Sequence, residues 1–249
     1  MLAIQLALFI AIAFLIYYLT VKRPTRYGAQ EILDSVRKNF TEYRDLRTLN
    51  KEDIPAQMAE KLDEAKRLLE PLGLHHLCDV EDRTFTKANN LFVPIRYFTE
   101  EKRDTIAAAY YHPALRYIVL DFGTDLSDGR QMTTSNATAA GNILVPPHVL
   151  RKFLDPMTAA GDMLEKHRVW LAEVMATTPG VRTVTPDTPG KVLDRYQQGN
   201  REKWEFHRDR GWISFEELKK MAPGQSEAVA RRVYAEIQKI LQKERDEAR

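Results

Sequence analysis

Between residues 75 and 122 the chain carries four short apolar runs, at 75–80, 91–98, 105–111 and 117–122, separated by polar or charged turns. Runs of this length with turn residues between them read as strands. The turns Glu100-Glu101-Lys102-Arg103 and His112-Pro113-Ala114 are too short for the helical crossover that parallel neighbours need, so these strands pair antiparallel. Asp128-Gly129 closes a hairpin into a fifth run, 130–136, because this dipeptide tolerates the positive backbone angles of tight turns. Pro94 lies inside the second run and removes a ladder donor, which predicts an edge position or a broken ladder there.

Helical periodicity flanks these strands. In 29–46, Ile32, Leu33, Val36, Phe40 and Tyr43 recur at spacings of three and four. A second helix starts near Asn50 to Pro55, carries the stripe Met58, Leu62, Ala65, Leu69 and Leu72, and stops at Gly73. Residues 139–147 read as a connector ending in Val145-Pro146-Pro147. Further helices are predicted at 157–176, 191–210 and from about 226 onward, with Ser214-Phe215-Glu216-Glu217 forming a capping box between the last two.

Residues 2–21 are uncharged and almost wholly apolar, roughly the length a helix needs to cross a bilayer. Lys22, Arg23 and Arg26 follow, and no basic residue precedes the run. Basic flanks stay cytoplasmic, so the expected topology is a single-pass span of the cell's inner membrane, N-terminus outside and soluble domain in the cytoplasm. A cleaved leader is disfavoured, because it would need a basic start and a small-residue exit. The expected fold class is therefore α+β: one N-terminal transmembrane helix, then an antiparallel sheet of about five strands flanked by amphipathic helices. The expected division is an anchor at 2–21, a juxtamembrane segment and helix at 22–51, and an α+β domain at 52–176. A linker rich in proline and glycine follows at 177–190, then a docked helical region at 191–249.

Removing Lys22, Arg23 and Arg26 leaves 34 basic against 35 acidic residues, a balance that argues against a nucleic-acid partner. Cys78 is the only cysteine, so no intrachain disulfide exists and a reducing compartment fits.

No spacing in the chain fixes a chemistry. His75-His76-Leu77-Cys78-Asp79 is the densest group of ligand-type side chains, but a strand places at most two of them on one side, short of the three or four protein ligands zinc takes. His112 or His148 would have to complete such a site. Asp121, Asp125 and Asp128 read as turn formers and lack the alternating ligands of a calcium loop. Thr133-Thr134-Ser135-Asn136 offers hydroxyls without a nucleophile elbow, and His167 lies on the apolar face of its helix. Phosphate-binding glycine motifs are absent.

No catalytic, cofactor-binding or metal residue is assigned from these patterns, and no cofactor is expected. The leading expectation is a membrane-anchored protein acting through protein–protein interaction or as a subunit of a membrane-associated assembly, with the bilayer and a protein as partners. Two alternatives stand beside it. One is a tethered hydrolase or metal-dependent enzyme built on His76, Cys78, His112 and Asp121. The other is a small-ligand or lipid-sensing pocket between the sheet and the helices, walled by Tyr97, Tyr110 and Trp170.

Overall fold

The computed structural model describes residues 23–102, 104–111, 116–137, 144–221 and 224–247. They form two compact units. Residues 41–137 and 145–204 make a sheet unit; residues 23–40, 144 and 205–247 make a helical unit.

The sheet unit holds seven strands whose order in the sheet is their order in the chain. They are β1 (Leu46–Leu49), β2 (Leu74–Asp82), β3 (Ile95–Glu100), β4 (Ile106–Tyr111), β5 (Ile118–Asp125), β6 (Gln131–Ser135) and β7 (Val149–Phe153). Every neighbouring pair is antiparallel except β6 and β7, which run parallel. The α+β class with an antiparallel-rich sheet is as expected. The rest of that expectation is corrected: the sheet has seven strands, not about five. Among the described residues no helix is long and apolar enough to cross a membrane. The span expected at 2–21 lies outside the described residues.

The two additional strands are β1 and β7. β1 has only four residues and begins where the predicted helix 29–46 ends, whereas the observed helix there stops at Asn39. β7 follows Pro146-Pro147, and Arg151-Lys152 interrupts its apolar pattern. Pro94 also resolves differently from its prediction. β3 begins at Ile95, so the proline costs no ladder donor and the strand sits inside the sheet, between β2 and β4. A short helix, Arg83–Asn89, precedes it by a few irregular residues, and its first turn is capped by Asp82 Oδ1 accepting from Phe85 N at 2.9 Å.

On one face of the sheet, Leu74, Phe98, Ala107, Ala109, Leu120 and Phe122 pack under two helices. Ala65 and Leu69 come from the helix Ala56–Leu69, Met163 and Leu164 from the helix Ala160–Ala176. Gly73 ends the first of these segments in the left-handed conformation, φ +83°, which glycine adopts at least cost. His167, fully buried in this layer, is held between the hydroxyls of Thr124 and Thr134 at 3.0 Å each. Burial, reinforced by Arg168, lowers its pKa to about 4.

His167 makes a first prediction. The unfolded chain takes up this proton below about pH 6.5 and the native state does not until about pH 4, so stability falls as pH drops through that window. The slope is at most about 1.4 kcal/mol per pH unit for one group. Urea titrations at pH 7, 6 and 5 should show this loss in the wild type and a smaller one in His167→Gln. Equal slopes would reject the assignment.

In the helical unit, the helix Arg23–Asn39 packs on the helix Glu227–Glu247, burying Ala29, Leu33 and Val36 from the first and Val233, Ile237 and Leu241 from the second. Arg37 adds a bidentate pair with Glu244 at 3.0 and 2.6 Å. The capping box is present at the helix Phe215–Met221: Glu217 accepts from Ser214 N at 2.7 Å, and Ser214 Oγ accepts from Glu217 N at 3.2 Å.

Candidate functional site

The other face of the sheet carries most of the unit's unexplained polar chemistry. Register places Cys78, Tyr97, Ala108, Asp121, Ser135 and Phe153 in one row across the strands. Thr99, Ile106, Gly123, Thr133 and Arg151 form the row two residues along. Side chains alternate along a strand, so both rows point to the same face, as does Tyr110, two residues from Ala108. Small residues surround Asp121. A Cβ on Gly123 would meet Ile106 Cγ2 at 3.5 Å, an ordinary contact. Glycine is therefore not forced by the backbone here; its effect is to keep the floor beside Asp121 low.

Residues 189–204 of the helix Pro189–Asp209 roof this face. Val192 and Leu193 pack on Cys78, Val80, Tyr97 and Ile106. Polar bonds fix the flanks. Arg195 grips Asp125 through two hydrogen bonds, one of 2.7 Å. Tyr196 donates to Asp82 at 3.2 Å, and Arg44 donates to the same oxygen at 2.5 Å. Glu202 accepts from Gln131 at 2.7 Å and meets His148 at 3.1 Å. Tyr196, Gly199 and Lys203 recur at spacings of three and four, which puts them along one side of the helix.

Asp121, Lys203, Tyr97, Tyr110 and Tyr196 keep partial solvent contact. Burial is nevertheless the largest influence on the ionisation of each. Groups that water still reaches, yet that are hemmed in on most sides, border the seam between this sheet face and residues 189–204. Burial pushes the Asp121 carboxyl above its usual range, opposed by the hydrogen-bonded Ser135 side chain and by Arg151 and Lys203. Asp121 Oδ1 is buried without a hydrogen-bond partner. Lys203 is lowered to about 8, by burial first and then by Arg151, Arg195 and Arg44, with Asp121 opposing. Arg151 is exposed on the edge strand β7, and Asp121 and Tyr110 act on its ionisation from the neighbouring strands. All three tyrosine hydroxyls are pushed up by burial and stay protonated donors at neutral pH.

The residues singled out in the sequence separate in space. Asp121, Tyr97 and Tyr110 share the crevice face. Cys78 borders it but is buried, and burial pushes its thiol up to about 11, far from a reactive thiolate. His76 makes a 3.3 Å contact with Asp79, which is committed to Arg96. Trp170 lies on the helix Ala160–Ala176, beneath Lys152 Nζ at 4.5 Å from its ring centre and on the sheet's other face. His148 is tied to Glu202 at the flank, and His112 lies outside the described residues. Among the described residues, no three His, Cys, Asp or Glu side chains converge in a way that could hold a metal.

Arg151 and Lys203 are the site residues that sequence reasoning missed. One sits in a strand that reads as loop, the other on a helix whose charges balance on paper. A signal for the second existed: tyrosine, glycine and lysine at helical spacing is an odd set for a solvated face. No protein-family model, no curated protein and no solved structure matches the chain.

Proposed function

We propose that the sheet unit binds a small ligand carrying an anionic group, in the crevice between β3–β7 and residues 189–204. The observation that carries this reading is the charge imbalance. Arg151 and Lys203 both act electrostatically on Asp121, whose carboxyl burial already drives toward its neutral form. One carboxyl cannot offset two cations, and Lys203 is held where an unpaired charge is costly. An anionic ligand group supplies the pair. The tyrosine hydroxyls would orient the remainder of the ligand, the usual pattern of a few placed polar groups in a mostly apolar site.

The test is a thermal melt of the full chain with inorganic phosphate or pyruvate. At about 100 times the dissociation constant, binding stabilises by about 2.7 kcal/mol, roughly 5–10 °C in Tm for a chain of this size. Arg151→Gln and Lys203→Gln should remove most of the shift. Arg47→Gln, which alters an exposed arginine paired with Glu81 on β2, should keep it. A shift that survives both crevice substitutions would sink the proposal.

Binding of a protein partner is a second reading, favoured by a different feature. A cleft of about 470 Å³ on the opposite face is lined by Leu154, Val169, Trp170 and Lys152. Val169 is half exposed beside it. Val169→Glu should then abolish crosslinking to a partner while leaving the ligand-induced Tm shift intact.

A further inference from the structure

We propose that the outer edge of β7 takes up an extended segment of a partner protein as an added antiparallel strand, with an acidic residue of that segment set opposite Arg151. This rests on the partner-binding reading of the Trp170 cleft and names the partner's backbone form and charge.

Two independent observations carry it. The first is the ladder. β7 ends the sheet, and its bonds to β6 run through even-numbered residues: His148 O accepts from Gln131 N at 2.9 Å, and Leu154 N donates to Ser135 O at 2.8 Å. The backbone groups of successive residues in a strand alternate in direction, so the N–H and C=O of Arg151 and Phe153 point away from β6. Among the described residues neither meets a partner on that side, and Arg151, Lys152 and Phe153 are all exposed. Unmade ladder bonds along an edge are a template for another strand.

The second is the cleft. Thr134 of β6 with Lys152 and Leu154 of β7 form its sheet side, and Val169 and Trp170 its helix side, around about 470 Å³. Thr134 bonds His167 of that helix, so Lys152, the register partner of Thr134, stands on the helix side of the sheet and Arg151 on the other. An added strand therefore meets two settings in alternation. Its side chain opposite Arg151 faces a guanidinium, which selects a carboxylate, and the one opposite Phe153, 46% exposed, faces an aromatic ring. The side chains between these project to the side of the cleft, where Val169 is 53% exposed, which selects apolar groups. A second copy of the chain fits the edge badly. The antiparallel registers that overlap two β7 strands most fully set Arg151 opposite Arg151 or Lys152 opposite Lys152, and like charges directly opposite are destabilising.

The experiment measures binding of the fluorescein-labelled peptide Ser-Tyr-Val-Glu-Val-Thr-Ser to the full chain by fluorescence anisotropy. With its glutamate opposite Arg151, the antiparallel peptide turns the glutamate amide toward β7 and the valine amides away. Binding should be saturable, roughly ten-fold weaker when the glutamate amide is N-methylated, and within about three-fold when the first valine amide is. Lysine in place of the glutamate should weaken binding roughly ten-fold, and Arg151→Glu should reverse that preference. Phe153→Pro, which deletes an outward N–H and no bond to β6, should bind roughly ten-fold more weakly than Phe153→Val. The N-methylated peptides act on the wild-type chain, so they decide the matter even where a variant fails to fold. Equal affinity for the two of them would overturn strand addition, and a loss of binding in Val169→Glu would then leave the cleft reading standing. Unchanged affinity in Val169→Glu would overturn the cleft reading and the added strand with it. The absence of saturable binding would overturn the added acidic strand, as would a wild-type dimer that Phe153→Pro dissociates, which would give the edge to a second copy.

Discussion

Phe122→Ala is expected to lower the free energy of unfolding of the sheet unit by about 3–5 kcal/mol. Phe122 is fully buried on β5, and its side chain sits in the cluster that joins Phe98, Leu120, Ala107 and Ala109 to Leu69 and Met163. Truncation removes most of an aromatic side chain and leaves a cavity that two alanines on the adjacent strand are too small to fill. Interiors packed to crystal-like density relax only partly around such a gap. Since single domains hold about 5–15 kcal/mol in total, a large share of the unit's stability should go. Urea unfolding followed by circular dichroism reads it. A loss below about 1.5 kcal/mol would mean that the layer repacks, contrary to the rigid packing argued above.

A loss of similar size, about 3–5 kcal/mol near pH 7, is expected for Asp79→Ala. Arg96 is buried and donates to both Asp79 oxygens, at 2.7 and 2.9 Å, and to Asp63 at 2.7 Å. Removing Asp79 leaves the guanidinium in place with only the partly exposed Asp63 as an ionic partner. Most of the cost is that stranded charge, so Asp79→Leu combined with Arg96→Met should lose far less. The pH dependence has a definite sign. Burial raises the Asp79 carboxyl, but the bonds from His76 and Arg96 outweigh it and the net pKa is lowered. Asp79 therefore contributes stability above its unfolded value near pH 3.9 that is lost as pH falls through the lower folded value. The gap between wild type and Asp79→Ala should close below about pH 4, in a window separate from that of His167. A gap that stays constant to pH 2 would show that Asp79 acts through packing alone.

Local order carried part of this protein in plain sight. Alternating apolar runs and turn dipeptides marked β2 through β6, and Gly129 adopts the positive φ of +87° that the Asp128-Gly129 turn requires. Short strands at the margins were not marked. A four-residue strand such as β1 has too few alternations to establish a period of two. β7 is recognisable only from its partner β6, because parallel pairing leaves no hairpin signature. The site was legible in halves. Asp121, Tyr97 and Tyr110 drew attention as side chains with chemistry, whereas Arg151 and Lys203 drew none, since a basic residue in a balanced stretch looks like solvent-facing charge.

The sequence by itself determined what depends on near neighbours: helix stripes, the capping box at Ser214 and Glu217, the turn at Asp128-Gly129, and a meander whose connections forbid parallel pairing in its middle. Only the tertiary structure decided which face of that meander packs under two helices and which lies under residues 189–204. Phe98 and Phe122 fill one face beneath two helices. On the other, the roofing helix is braced by Arg195 on Asp125 and by Tyr196 on Asp82, and the charges in between gather around Asp121. The physical reason is that ionisation and ligand affinity depend on distances through space. Asp121, Arg151 and Lys203 belong to three segments far apart in the chain, and only the register of the sheet and the placement of one helix bring them together.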